Sequence, residues 1–255
     1  MIILKFFKNI FIIFLILTFL PICSFADDYN EENIDITNTI EVNSTDSSLQ
    51  LSSKYAIVLE RSSETVLFEK NSYDKTPMAS TTKIMTAIIA IENAELTDSV
   101  KISKKAANTP GSRLGIYSNT EMTLENLLYG LLLSSGNDCA VAIAEHIGKN
   151  EEGFAQIMNK KAKSLGLKNT NFVTPHGLDD PNHYTTTYDL AILTNYALKN
   201  SMFLKIVETK SFQVNINGYI KTISNTNELL GYLDGVYGVK TGFTGDARKM
   251  LGFSM

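Results

Sequence analysis

The sequence predicts an α+β domain: an antiparallel sheet drawn from both ends of the folded region, with a helical insert between them. Three observations point there. Tyr55–Leu59 and Thr65–Phe68 are β-rich runs around the turn Arg61-Ser62-Ser63-Glu64, the pattern of a hairpin. In the middle, Ile84, Met85, Ile88, Ile89 and Ile91 recur at helical spacing. Towards the end the character returns to strand, in Phe212–Ile216, Tyr219–Ile223 and Val236–Thr241.

Each helix of the insert has its own signal. Ser80 precedes the first apolar helix. Thr123 to Leu133 is a second, with Thr123 placed to cap it. A third runs from Asp138 to Ile147 and stops at Gly148, and Asn159–Ser164 and Asp189–Lys199 suggest two more. No internal repeat is present.

The N-terminus has a separate logic. Lys5 and Lys8 precede an apolar run from Ile10 to Leu20, then Pro21 and Ser24-Phe25-Ala26, which is the charged, apolar, small-residue order of a secretory signal peptide over 1–26. The apolar run is short for a spanning helix, so any membrane association rests on that segment remaining uncleaved. Cleavage after Ala26 removes Cys23 and leaves Cys139 without an intrachain partner. Residues 27–53 are acidic and rich in Asn, Ser and Thr, the composition of a flexible linker. A formal net charge of -4 gives no footing for nucleic-acid binding.

Three short motifs carry the chemistry: Ser80-Thr81-Thr82-Lys83, Ser135-Gly136-Asn137 and Lys240-Thr241-Gly242. On a helix, residues i and i+3 share a face, so Lys83 can reach the Ser80 hydroxyl. A serine hydroxyl needs a base to become nucleophilic, and lysine is a base only when neutral. Desolvation or a nearby cation achieves that, and Lys240 is the candidate cation. The helix N-terminus offers N–H groups to a developing oxyanion. A loop at Ser135–Asn137 between two helices can aim a hydroxyl and an amide into a cleft. Lys240 and Thr241 suit a terminal carboxylate, and Gly242 admits close approach of a bound chain. Each motif alone also has a plain reading: a capping serine with a solvated lysine, a helix break, a strand end. A second S-x-x-K occurs at Ser72 to Lys75, in a polar stretch before Pro77.

In this order, the three motifs resemble those of the active-serine penicillin-recognising enzymes. Pro77-Met78-Ala79-Ser80-Thr81-Thr82-Lys83-Ile84-Met85-Thr86, Thr174-Pro175-His176-Gly177-Leu178-Asp179-Asp180-Pro181-Asn182-His183 and Gly238-Val239-Lys240-Thr241-Gly242-Phe243-Thr244 are similar to the low-molecular-mass D-alanyl-D-alanine carboxypeptidases. The resemblance spans Lys54 to Ala247. It implies the penicillin-binding/serine β-lactamase-like transpeptidase fold and an extracytoplasmic enzyme needing no cofactor or metal. It also implies Ser80 as nucleophile, Lys83 as proton acceptor and Ser135 as a hydroxyl relaying a proton to the leaving amine. Asn137 would bind the substrate amide, Lys240 and Thr241 its carboxylate, and the N–H groups of Ser80 and Phe243 the oxyanion. Substrates would be peptidoglycan stem peptides, with β-lactams acylating the same serine.

Rival readings are a zinc peptidase using His176, Asp179 and His183, a class A β-lactamase, a D,D-endopeptidase of the same family, and an inert or merely ligand-binding fragment. The last arises because the family-like sequence stops at Ala247, giving a domain of 54–247 followed by an aberrant tail over 248–255. Skipping one base of a synonymous coding sequence turns that tail into Gly-Lys-Cys-Leu-Val-Leu-Val, a credible strand. The expectation is a frameshift product whose last sheet strands are missing, leaving the Lys240-Thr241-Gly242 strand unpaired on its following side and the domain unstable.

Overall fold

The computed structural model describes residues 51–254. The signal-peptide segment, and the linker up to residue 50, lie outside the described residues. Leu51 and Ser53 already belong to the folded body: Ser53 is buried, and Lys70 Nζ donates to the Leu51 carbonyl at 2.7 Å.

Among the described residues, eight strands and seven α-helices follow. The hairpin expected first is β1 (Ala56–Leu59) with β2 (Val66–Lys70). A 3-10 turn, Ala79–Thr82, leads into α1 (Lys83–Asn93). Next come β3 (Ser99–Lys101), α2 (Lys104–Ala107), β4 (Glu121–Thr123), α3 (Leu124–Leu132), α4 (Asn137–Gly148) and α5 (Glu151–Ser164). Then follow α6 (Thr187–Leu198), α7 (Ser201–Val207), the hairpin β5 (Ser211–Ile216) and β6 (Tyr219–Ser224), and finally β7 (Val239–Thr244) and β8 (Arg248–Phe253).

α1 is the hub. Its residues from Lys83 to Ala90 are all buried, and it packs against α3, α4, α5, α6 and α7. A helix surrounded on every side can be apolar all round, which is why Ile84, Met85, Ile88 and Ile89 show no polar face between them. The peripheral helices are started by side-chain caps. Thr123 accepts from Asn126 N, Asn150 from Gly153 N, Thr186 from Asp189 N, and Asn200 from Met202 N and Phe203 N. The Asn150 cap and the acids Glu151 and Glu152 start α5 well before the expected Asn159, since acids suit the positive end of a helix.

Two expectations about the sheet are corrected. Among the described residues the strands form four two-stranded antiparallel ladders, β1–β2, β3–β4, β5–β6 and β7–β8, rather than one sheet closed by distant segments. β1–β2, β5–β6 and β7–β8 are hairpins joining strands close in sequence, whereas the 19-residue gap between β3 and β4 holds α2 and a loop. The tail after Ala247 is also not stray. It turns back as β8, pairing from Thr244↔Arg248 to Val239↔Phe253, with Met250 and Phe253 buried. Apolar Met250, Leu251 and Phe253 give the tail enough strand character to partner β7 as it stands. The strand carrying Lys240-Thr241-Gly242, β7, begins at Val239 rather than Val236, because Gly235 and Gly238 carry the preceding loop at φ +86° and +127°.

If β8 is an integral part of the core, Met250→Ala should cost about 2–5 kcal/mol, the range for truncating a buried large side chain. Urea unfolding checks this; a change within about 0.5 kcal/mol, the surface range, would show that the strand is not docked.

Candidate active site

The structure brings the first and last motifs together. β7 packs on the 3-10 turn so closely that a Cβ added to Gly242 would lie 3.1 Å from Ser80 N and 3.2 Å from the Ala79 Cβ. A side chain at position 242 would therefore require the strand or the turn to give by a few tenths of an ångström. Ser80 does not sit on the helix proper, as expected, but on the 3-10 turn before it, with Lys83 opening α1. In a 3-10 turn residues i and i+3 eclipse, which stacks the lysine over the serine even more directly.

Lys83 is fully buried, and its Nζ has three partners: Ser80 Oγ at 2.9 Å, Asn137 Oδ1 at 2.7 Å and the His176 carbonyl at 2.7 Å. Among the described residues it makes no ion pair with an acid. Burial holds its pKa well below the ordinary lysine value, Lys240 lowers it further, and the Asp138 charge opposes the shift only partly. Lys240 is buried too, donates to the Thr241 carbonyl at 2.8 Å, and is brought down to about 7 by burial.

The remaining motif residues are placed as follows. Asn137 opens α4 and is anchored at both ends of its amide, with Nδ2 donating to the Pro110 carbonyl at 2.7 Å. Thr241 Oγ1 lies 2.8 Å from Thr226 Oγ1. Ser135 is buried in the loop between α3 and α4 at φ +57°, and no hydrogen bond of its hydroxyl is seen among the described residues. Phe243, next along β7 from Gly242, has an exposed ring. The rival Ser72 and Lys75 do not pair: the Ser72 hydroxyl donates to Glu69, and the Lys75 ammonium stands 4.1 Å from the Tyr184 ring centroid.

The stretch singled out over Thr174–His183 forms a wall of the site, and its contact with Lys83 is the part that residue types do not disclose. The His176 carbonyl, a main Lys83 acceptor, is a backbone atom and leaves no residue-type signal. Gly177 is required there: at φ +88°, an added Cβ would fall 1.8 Å from the Ala79 carbonyl oxygen. His183 ties this wall to the serine turn. Its Nδ1 accepts from Val173 N at 2.9 Å and Thr174 N at 3.3 Å, so its Nε2 carries the hydrogen and donates to Thr82 Oγ1 at 2.8 Å. Thr82 in turn donates to the Ala79 carbonyl at 2.7 Å. No group of three His, Cys, Asp or Glu side chains able to hold a metal ion occurs among the described residues. His176, Asp179 and His183 therefore do not converge as the zinc reading required. Both His183 nitrogens are spent on protein partners.

A serine under a buried, acid-free lysine, flanked by a second buried lysine on an adjoining strand, is suited to acyl transfer through an active serine. The chain belongs to the S11 peptidase family, D-alanyl-D-alanine carboxypeptidase, which it matches over residues 41–254. It is 41% identical over 211 residues to the D-alanyl-D-alanine carboxypeptidase DacF of Bacillus subtilis, covering 80% of this chain and 54% of that one. Among solved structures, it is similar to the D-alanyl-D-alanine carboxypeptidase DacD of Francisella tularensis, with a TM-score of 0.77 and 26% identity over 82% of this chain and 66% of that one. The D-alanyl-D-alanine carboxypeptidase of Mycobacterium tuberculosis superposes with a TM-score of 0.74 at 30% identity, over 79% of this chain and 81% of that one. The chain spans about half the length of the first curated relatives it matches, 54% and 52%.

His183 makes stability pH-dependent. Burial lowers its pKa from 6.5 to about 4, so the unfolded chain takes up this proton first as pH falls. Its contribution, roughly 3 kcal/mol, is complete above pH 6.5 and is lost as pH falls through about 4. Urea unfolding from pH 7 to pH 4 should show this loss, and His183→Asn should flatten that slope. An unchanged slope in the variant would remove His183 as its source.

Proposed function

We propose that this chain is an exported serine D-alanyl-D-alanine carboxypeptidase that removes the terminal D-alanine from peptidoglycan stem peptides through an acyl-enzyme on Ser80, and that β-lactams acylate the same residue. One observation carries the reading. As a neutral amine, Lys83 has two N–H hydrogens, and two carbonyl-type oxygens, on Asn137 and His176, are placed to receive them. The lone pair then faces Ser80 Oγ at 2.9 Å, so the hydroxyl donates to the amine. That is the ground state of a serine about to lose its proton.

In this reading Ser80 Oγ attacks the carbonyl carbon of the penultimate residue while its proton passes to Lys83 Nζ. The oxyanion is received by the N–H groups of Ser80 and Phe243. The C–N bond breaks, and the leaving amine takes a proton relayed through Ser135. Water, deprotonated by Lys83, then hydrolyses the ester and releases the peptide. Lys240 and Thr241 take the substrate's terminal carboxylate; a buried lysine that makes no ion pair with an acid among the described residues is a ready receptor for one. Asn137 contributes to the substrate amide through the second hydrogen of its Nδ2, keeping both its Pro110 and its Lys83 contacts. Residues 1–26, with their signal-peptide pattern, support export; any membrane association would depend on that segment staying uncleaved. No described helix is long and apolar enough to cross a membrane.

Penicillin labelling followed by peptide mass spectrometry should place the adduct on Ser80, and labelling should vanish in Ser80→Ala. Lys83→Ala should slow acylation by on the order of 10²–10⁴-fold. With a stem peptide and its C-terminal amide as paired substrates, Lys240→Ala should lose more activity on the free acid. An adduct on any other residue overturns the nucleophile assignment, and equal losses on acid and amide overturn the carboxylate role.

A further inference from the structure

We infer that Asp138 is a positioning residue, whose buried carboxylate locks the 110–116 segment onto the start of α4 and so fixes the Asn137 amide that holds Lys83. The inference takes its catalytic meaning from the serine-enzyme reading above. Asp138 is fully buried and, among the described residues, makes no ion pair with a lysine or arginine. Its Oδ1 accepts from Leu114 N at 3.0 Å and Cys139 N at 2.9 Å; its Oδ2 accepts from Gly115 N at 2.8 Å and Ile116 N at 3.3 Å. Four backbone N–H groups thus converge on one carboxylate, a concave donor nest that stabilises negative charge without a cation. Its place in the first turn of α4 adds the favourable end of the helix dipole.

The segment held this way is the one that sets Asn137. The Ser112 carbonyl accepts from Asn137 N at 2.7 Å, and the Pro110 carbonyl accepts from Asn137 Nδ2 at 2.7 Å. The second contact determines which end of the amide faces the lysine. With Nδ2 engaged by Pro110, Oδ1 is left for Lys83 Nζ. Gly111 makes room for this seat, since an added Cβ would fall 2.6 Å from Asn137 Nδ2. The carboxylate also acts on Lys83 through space, since its charge favours the protonated amine. Two effects of one group follow, one geometric and one electrostatic, and they separate experimentally.

Asp138→Asn keeps the shape but turns an NH₂ group towards Gly115 N and Ile116 N, where donor meets donor. The limiting penicillin acylation rate should fall by on the order of tenfold to 10²-fold, the scale of a displaced catalytic group. The acid limb of its pH profile should move to lower pH, because loss of the negative charge makes Lys83 easier to deprotonate. Asp138→Glu keeps the charge and disturbs the geometry, so its rate should fall with the acid limb unmoved. Two measurements need no turnover. The Leu114, Gly115 and Ile116 amides of the unaltered chain should exchange slowly with deuterium. The ε-carbon resonance of Lys83 should titrate at lower pH in Asp138→Asn than in the unaltered chain. Rapid exchange of those amides, or an Asp138→Asn variant that loses only its active fraction while rate and acid limb stay put, overturns the inference. Should the unaltered chain fail to acylate Ser80, the serine-enzyme reading falls, and the exchange and titration results still decide whether Asp138 positions Lys83.

Discussion

The site depends on keeping Lys83 out of water without giving it an acid. An ammonium buried beside a carboxylate would be stabilised as a cation and lost as a base. Here the lysine lies in the first turn of the most enclosed helix of the fold, and its polar neighbours are a hydroxyl, an amide oxygen and a backbone carbonyl. Those partners carry no charge to offset an ammonium, so burial rather than hydrogen bonding is what lowers the basicity of the amine. The second buried lysine, on β7, adds repulsion of the same sign. The walls supply acceptors to Lys83 by direct hydrogen bond, while the carboxylate that acts on it, Asp138, does so only through space, its oxygens engaged by backbone N–H groups.

That requirement explains why the walls come from distant parts of the chain and meet at backbone distance. Side chains between β7 and the serine turn, or between the 173–183 wall and that turn, would admit water or separate the partners. Gly242 and Gly177 remove them at the two closest approaches. His183 then fastens the wall to the turn through Thr82, and it does so as a neutral ring, so it adds no charge next to Lys83. A protonated histidine at that position would also depress the lysine, but at the cost of a second uncompensated buried cation.

The sequence disclosed the parts of this arrangement that are local. Ser80 with Lys83, and Lys240 with Thr241, are short-range patterns, and their elements carry plain helix and strand signals. The S-x-N loop was visible because it interrupts two apolar helices. What stayed hidden depends on tertiary contact. The His176 carbonyl has no side-chain signature, and His183 resembled a metal ligand because its type, rather than its saturated hydrogen bonds, is what a sequence shows. Strands β3 and β4 have three residues each, too few to establish an alternation. The 248–255 tail departs from the family likeness, while its own β-forming residues Met250, Leu251 and Phe253 give it the strand character that β8 shows.

The two buried lysines also differ in a way that divides the work between them. Lys83 has its N–H groups satisfied inside the protein and is driven far towards neutrality, while Lys240 makes one hydrogen bond and sits at about 7. A group near neutrality in the empty site is poised to respond to what enters. An anion arriving beside Lys240 would favour its ammonium form, and that charge lies on the strand packed against the serine turn. The anion carries its own charge, however, so the seated pair is close to neutral and the low basicity of Lys83 rests mainly on burial, the first cause of its shift. That burial depends on β7 staying in contact with the serine turn, so the docking of β8 beside β7 bears on the site as well as on stability.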